Sequence, residues 1–437
     1  MKKALIDKYN DKSTLIVFSS YADQNNSAKD QNALAGYTRQ MIESIPKTRK
    51  VIVLSEKTST TNGRQYEVND HVLILPCWEK QNLFSMFTVL WSLKKFSSVK
   101  TTLFQFEFNM FGSILGPIII FFLIFTMKLM GKGIYFQIHQ VVLDISELKN
   151  QINIKSGLKI KFFNICLHVF YNTIFFLSQK VIVTEEILAT RLRTICNTKK
   201  IVVISHHVPQ LRKLISRDNT KKNTTLLFFG YLSWYKGVDW LVKKFKKLKT
   251  TNPKLRLIVA GDKSPTLKNQ QYYAKYYKNL ISKINTIPEI TLTGFILDED
   301  IPKWFRKADM LVLPYQTFMS SSGPLSWALA FHKPVILSNK LKDYLRSPDF
   351  ASAFTEAGLQ EKDLFFDLST ESLEKIIKNL KKDKLRLFAK ILAKKRSQKS
   401  ITKHLLDHIF QPAMQNPSKI QSLLIRMQSN IFYRYAK

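Results

Sequence analysis

The sequence predicts an α/β protein of two Rossmann-like lobes, each built on a parallel sheet, facing one another across a cleft. Three observations carry this prediction. Short Val-, Ile- and Phe-rich runs alternate with stretches long enough to be crossover helices. A charged, polar break at Leu211–Asn223 interrupts the alternation, which restarts beyond it. The chain has 437 residues, 45% of them hydrophobic, which suits two or three packed cores and not a disordered chain.

In the first half, Leu15–Phe18, Lys50–Leu54, Val72–Leu75, Thr101–Gln105, Gly133–His139, Lys180–Val183 and Lys200–Ile204 read as buried strands between polar boundaries. After the break come a strand at Thr225–Phe229, a helix at Val238–Lys249, a strand at Arg256–Ala260 and a long polar helix ending at Asn285. Then follow the strand Ile290–Leu292, the helix Ile301–Lys307, the strand Met310–Leu313, the helix Leu325–Phe331 and the strand Val335–Leu337. In the helix Val238–Lys249, Val238, Leu241, Val242, Phe245 and Leu248 form one apolar stripe, and five lysines take the other face. Three units are expected: residues 1–212, residues 213–396, and C-terminal helices with a basic tail over 397–437. In that tail Ile420, Leu423, Leu424, Met427 and Ile431 line one helical face.

The net charge of +36 implies attraction to something anionic: nucleic acid, an acidic membrane leaflet or a phosphorylated substrate. The lysines are spread along the whole chain, which fits solvated faces better than a dedicated groove. No zinc-finger or RNA-recognition signature occurs, so no specific nucleic acid is expected. Gly-x-Gly-x-x-Gly, Walker A and His-Glu-x-x-His patterns are absent too, which removes support for dehydrogenase, P-loop NTPase and zinc-protease readings. Three distant cysteines, Cys77, Cys166 and Cys196, point to a reducing compartment without a metal site or disulfide framework. The opening MKKALIDKYNDKS has no apolar core, so no signal peptide is expected and the protein is placed in the cytoplasm.

From Phe108 to Met127 no charged residue appears, long enough to span a bilayer, but Asn109, Gly112, Ser113, Gly116 and Pro117 crowd its first half. A second apolar stretch, Phe162–Leu177, is interrupted by His168, Tyr171 and Asn172. The favoured expectation is a peripheral protein whose first domain rests on the inner face of the cell membrane; a spanning segment is the other reading.

Two segments carry chemistry. In Phe228-Phe229-Gly230-Tyr231-Leu232-Ser233-Trp234-Tyr235-Lys236-Gly237-Val238-Asp239 a strand runs into a glycine turn and a second glycine opens a helix. Free N–H groups at such a turn attract anions. Lys236 lies at the positive end of the helix dipole, where a cation is disfavoured by roughly 0.3–1 kcal/mol unless it meets an anion such as phosphate. The competing reading leaves Lys236 in water. The second segment runs Ala308-Asp309-Met310-Leu311-Val312-Leu313-Pro314-Tyr315 and on to Ser320-Ser321-Ser322-Gly323-Pro324-Leu325. Its hydroxyls and helix-opening amides suit either an anion site or an ordinary capped helix.

In this order, and joined by Gly294-Phe295-Ile296 and Asp298–Ile301, the two segments resemble the group 1 (family 4) glycosyltransferases of the GT-B fold. The first half is similar to their acceptor domain at Phe104–Phe108, Gln137–Gln140, Val181–Glu185 and Ile204–Pro209. The resemblance covers the chain to about Phe410. It implies a retaining transfer from UDP-sugar or GDP-sugar to a glycan or lipid-linked acceptor, with no cofactor and no obligatory metal, in cell-surface polysaccharide or glycolipid synthesis. Residues 1–212 would bind the acceptor and 213–396 the donor. Lys236 would hold the diphosphate beside Gly230 and Ser233. The loop of Ser321, Ser322, Gly323 and Leu325 would hold the distal phosphate next to Tyr315, and Phe295 would face the base. His139 would face the transferred sugar. Cations and amides so placed would stabilise the diphosphate as it leaves.

The sequence departs from the family pattern at the glutamate pair many members carry, where about Met319 and Trp327 stand. Tyr231 or Ser233 replaces the usual arginine, and Pro324 removes one amide donor. These departures motivate an alternative: a non-catalytic homologue that binds nucleotide or glycan as an assembly partner. Glu107 is either a cleft carboxylate or a strand-end charge, and His139 either a sugar contact or a structural histidine. His206 and His207 could line the cleft. Asp298-Glu299-Asp300 reads as N-terminal capping of the helix that follows.

Overall fold

The computed structural model describes residues 3–410 apart from 23–32, 59–63, 81, 83, 109, 112–115, 149–155, 197–198, 212–222, 266 and 269. The tail stripe at 420–431 and most of the break at 211–223 lie outside the described residues.

The first lobe is an eight-stranded sheet in the order β3-β4-β2-β1-β5-β6-β7-β8. Its strands are β1 Leu15–Phe18, β2 Val51–Glu56, β3 Tyr66–Val68, β4 Val72–Trp78, β5 Thr101–Phe106, β6 Gly133–Ile138, β7 Lys180–Val183 and β8 Ile201–Val203. All pair in parallel except β3, which turns through Asn69 and Asp70 at positive φ and runs antiparallel to β4 at the edge. Its helices are α1 Lys3–Tyr9, α2 Ala33–Glu43, α3 Ser85–Lys95, α4 Gly116–Leu129, α5 Gly157–Leu177 and α6 Glu186–Ile195. The central strands are buried on both faces, which is why they read as continuous apolar runs with no alternation.

The second lobe has six parallel strands in the order β11-β10-β9-β12-β13-β14. They are β9 Thr224–Phe229, β10 Leu255–Ala260, β11 Ile290–Leu292, β12 Met310–Leu313, β13 Val335–Ser338 and β14 Phe365–Phe366. Helices α7 Val238–Thr251, α8 Gln271–Asn285, α9 Ile301–Lys307, α10 Gly323–Ala330, α11 Pro348–Glu356, α12 Glu361–Leu364, α13 Thr370–Lys378 and α14 Lys382–Lys395 cover it. The stripe of α7 from Val238 to Leu248 is buried as its spacing requires. In both sheets the order reverses beside the first strand, at β1/β5 and at β9/β12. Ligands of doubly wound folds bind at that crevice, past the carboxyl ends of the strands.

Helix α15, Gln398–Phe410, returns to the first lobe, where Ile401, Leu405, Leu406 and Ile409 join the cluster of Leu15, Val17, Met41 and Ile42. Arg396, between α14 and α15, is buried and gives two hydrogen bonds to each of two carboxylates. Its Nη1 and Nη2 reach Glu185 of the first lobe at 2.7 and 3.0 Å, and its Nε and Nη2 reach Asp349 of the second at 2.7 and 3.0 Å. Ser205 Oγ adds a 2.8 Å bond to Asp349, and Ser347 Oγ one of 2.8 Å to Glu185. The lobes are thus joined by an ion triad in which Arg396 and Glu185 are buried and Asp349 is partly buried.

One detail departs from expectation. The carboxylates at 298–300 do not cap α9: Asp300 stands at the N-cap with helical backbone angles and no side-chain bond, because capping geometry needs an extended N-cap residue. In the apolar stretch from Phe108 the described helix runs Gly116–Leu129, while Asn109 and residues 112–115 lie outside the described residues. Among the described residues α5 is the helix long and apolar enough to cross a membrane, yet Leu167, Phe170, Tyr171 and Ile174 along one side pack into the lobe.

Replacing Arg396 by Ala strands the buried Glu185 carboxylate and the partly buried Asp349, and is expected to lower stability by about 3–5 kcal/mol. Urea denaturation of the variant checks this; a loss below about 1 kcal/mol is what a surface pair would give and would show that the triad does not hold the lobes.

Candidate active site

Because β9 and β12 are neighbours, the segments that follow them meet. Gly230, at the end of β9, has φ +120°, and a Cβ there would stand 3.0 Å from Lys236 Nζ and 3.2 Å from Pro324 Cγ. Gly230 therefore keeps open the space where the lysine and the serine–glycine loop converge. Lys236 ends a single 3₁₀ turn, Trp234–Lys236, and Gly237 then opens α7 at φ +70°. A Cβ on Gly237 would fall 1.9 Å from the Pro314 carbonyl oxygen, so the two loops touch backbone to backbone. The Lys236 side chain is 8% exposed, with its Nζ 5.8 Å from the ring centroids of Tyr231 and Tyr235. Burial pushes its pKa down to about 8, and no carboxylate among the described residues pushes it back.

Ser322 is the N-cap of α10. Its Oγ accepts from the Leu325 N–H at 3.3 Å and bonds Tyr315 Oη at 3.0 Å, while its own N–H donates to Tyr344 Oη at 3.0 Å. Pro324 has no N–H, which leaves that of Gly323, at the first helical position, as a donor without an intrahelical acceptor. Ser321 points to the other lobe: its Oγ bonds Thr184 Oγ1 at 2.8 Å and Glu185 Oε1 at 3.1 Å. Tyr315 and Leu325 are buried supports of the loop. Ser233 is buried beside the Tyr235 phenol. Phe295 is half-buried after Gly294, which turns at φ +70° against Gly261. Met319 is buried and Trp327 packs on Phe331, so apolar side chains fill the positions of the family's glutamate pair.

The first lobe supplies the opposite wall. Gln140, next to His139, forms a β-bridge with Ser320, which brings the end of β6 to the second lobe's loop. His139 Nε2 lies 2.5 Å from Gln105 Oε1, and its ring packs on Tyr37 at 4.9 Å. His206 and His207 flank the same tyrosine at 4.7 and 4.4 Å; Ser326 Oγ of α10 lies 3.1 Å from His206 Nδ1. Burial first, and neighbouring imidazoles second, push His139 down to about 3; His207 is lowered by the same causes. Burial also lowers His206 to about 4. Glu107, just past β5, is raised to about 7 by burial, and its charge is felt by the Tyr231 and Tyr235 phenols beside Lys236. Among the described residues no group of three or more His, Cys, Asp or Glu side chains is gathered to hold a metal. Sequence reasoning missed Tyr37 and Arg396 and gave Gln105, inside the Phe104–Phe108 segment, no role of its own, because each acts through partners distant in the chain.

Residues 223–353 match the family model described as glycosyl transferases group 1. Over 118 residues the chain is 27% identical to the lipopolysaccharide 1,2-N-acetylglucosaminetransferase of Salmonella typhimurium, covering 27% of this chain and 30% of that relative. The chain thus spans under a third of the relative's length. Two solved structures share the overall form. Sucrose-phosphate synthase of Thermosynechococcus elongatus aligns with TM-score 0.65 at 14% identity over 91% of this chain and 98% of its own. HepE of Anabaena, in complex with UDP-glucose, aligns with TM-score 0.62 at 13% identity over 90% and 98%. The two lobes thus have the GT-B fold, and the second is similar to the group 1 glycosyltransferases over the matched residues. Within the matched residues lie Lys236, Phe295, Tyr315 and the loop 320–325, and against them stand His139 and Glu107 of the first lobe.

The three histidines set a pH dependence. An unfolded imidazole titrates near about 6.5, and the folded values of His139 and His206 are lower, about 3 and about 4. The unfolded chain then binds more protons over that interval, so stability is full above it and declines as pH falls through it. Denaturant midpoints between pH 7 and 4 should fall, and His206→Gln should flatten the slope.

Proposed function

We propose that the protein is a glycosyltransferase that moves a sugar from a nucleoside diphosphate sugar, UDP-sugar or GDP-sugar, to a glycan or lipid-linked acceptor, with retention and without a metal or cofactor. The observation that carries this reading is the Lys236 ammonium, desolvated and unmatched by a carboxylate among the described residues, at the point where Gly230 and Pro324 of two different loops converge. A buried cation of that kind is stabilised by a polyanion, and the charge that develops on a departing diphosphate is what it would meet. Gly323 would add its N–H to the distal phosphate. Phe295 would face the base, and His139, neutral, would donate or accept one hydrogen bond to the sugar. Glu107, raised into the neutral range, would bind the acceptor hydroxyl and take its proton.

The UDP-glucose bound by HepE favours UDP as the nucleotide. The acceptor lobe and its surface charge support work at the inner face of the cell membrane, in cell-surface polysaccharide or glycolipid synthesis. The apolar Met319 and Trp327 favour a second reading, a nucleotide-binding assembly partner without turnover.

With UDP-sugars as donors, Lys236→Ala is expected to weaken UDP binding by about 10–100-fold in calorimetry, the loss of a charge-assisted bond of about 1.5–3 kcal/mol, while the unfolding midpoint holds. Unchanged UDP affinity would remove the diphosphate assignment. UDP binding that survives with no sugar transferred or hydrolysed would favour the second reading. Donor affinity should also weaken as pH rises through about 8, where the free ammonium loses its proton; a flat profile would place the phosphates elsewhere.

A further inference from the structure

All but two of the strongly exposed large apolar side chains among the described residues, Leu297 and Leu387, lie on or beside α3, α4 and α5 of the first lobe. They recur at helical spacing: Phe84, Phe87 and Trp91 along α3; Ile118, Phe122, Phe125 and Leu129 along α4; Leu158, Phe162, Ile165 and Val169 along α5. The other side of each helix is also apolar and faces the core, through Val89 and Leu93, Ile120 and Ile124, and Leu167 and Ile174. These helices therefore carry two apolar faces, and α4 packs against both α3 and α5. Exposure is severe: Phe122 is 62% exposed, and Leu158 83%. A contiguous face of this kind marks an interaction site.

Its charge selects the partner. The sequences of α3, α4 and α5 contain no Asp or Glu, while Lys94, Lys95, Lys128, Lys159 and Lys161 stand on them. Lysines at the rim of an apolar face snorkel to phosphate-bearing headgroups. A buried protein interface, by contrast, is depleted of lysine.

We propose that α3, α4 and α5 form a docking face for an anionic lipid bilayer, lying in its surface and not across it. The inward sides of these helices cover the sheet, and Tyr171 Oη ties α5 to the Val142 N–H and carbonyl at 3.1 Å each, so none of them leaves the lobe to span. The face also fixes an orientation. Helices α4 and α5 follow β5 and β6, so both begin at the edge of the sheet where the strands end and where Glu107 and His139 stand. Docking thus brings the cleft's first-lobe rim to the lipid surface, where an acceptor carried on a lipid would enter. This deepens the glycosyltransferase reading and, for the entry of the acceptor, rests on it.

The full chain is tested by flotation with vesicles of phosphatidylcholine alone and of equal parts phosphatidylcholine and phosphatidylglycerol, with UDP affinity measured in parallel. The chain should float with the anionic vesicles, and the combined variant Phe87→Ser, Phe122→Ser, Phe162→Ser should lose at least about tenfold in partition with UDP affinity unchanged. Lys94→Gln, Lys128→Gln and Lys161→Gln together should remove the preference for phosphatidylglycerol. The proposal is overturned if the serine variant floats like the parent, or if the parent stays in solution as a dimer that the serine variant dissolves. Vesicle binding without UDP binding in the parent would uphold the face and sink the donor reading instead.

Discussion

Two carboxylates from different lobes share one buried guanidinium, and the relation between the lobes follows from that sharing. Glu185 comes from the turn after β7, Asp349 from α11, and Arg396 from the joint between α14 and α15. Burying three charges costs several kcal/mol each unless geometry and further hydrogen bonds compensate. Compensation is present here, because the arginine reaches all four carboxylate oxygens and Ser205 and Ser347 give second hydrogen bonds to Asp349 Oδ2 and Glu185 Oε2. The same Glu185 accepts from Ser321, so the triad also sets the loop that opens α10. The clamp and the serine–glycine loop share an atom, Glu185 Oε1, and cannot move independently.

Backbone contact provides the other constraint. Gly237 and Gly261 each meet a neighbouring carbonyl oxygen so closely that a Cβ would stand 1.9 and 2.0 Å from it. Such contact locks the loop after β9 against the loops after β10 and β12, and the lysine inherits its position from it. The side chain is then held away from water by Tyr231 and Tyr235 and not by an opposing charge. In water a lysine ammonium has no preference among anions; desolvated, it interacts more strongly with whatever anion fills its pocket.

Much of this was legible in the residues. The strands of both sheets follow from apolar runs bounded by polar residues, and the stripe of α7 from its spacing. The convergence of Lys236 and the serine–glycine loop was implied by the resemblance to the group 1 glycosyltransferases, and the pairing of β9 with β12 brings it about. Other features were not. β3, Tyr66-Glu67-Val68, carries a charge and is buried on neither face, and β14 has two residues, so neither gives an apolar run. The Arg396 triad joins residues far apart in sequence and leaves no local pattern. Asp300 looked like a cap by residue type, but capping is decided by backbone angles that type alone does not fix. Tyr37 was invisible for a similar reason: its surroundings are histidines contributed by two distant strand ends.

The positive charge divides into two populations that act by different physics. Most lysines stand in water, where at physiological ionic strength each is screened beyond about 8 Å. Summed, they produce a field that concentrates anions near the surface without choosing among them. Lys236 is shielded from that screening, and its lowered pKa measures how poorly the pocket tolerates it without an anion. On the proposed reading, selectivity for a diphosphate would come from the buried Lys236 ammonium with the N–H groups at the start of α10, however many lysines the surface carries. The other buried lysine among the described residues, Lys132, is taken up by the Phe96 and Val99 carbonyls. Conversely, removing surface lysines changes how often an anion arrives and leaves what the pocket recognises untouched. A chain this basic can thus hold a specific site without that site being the reason for its charge.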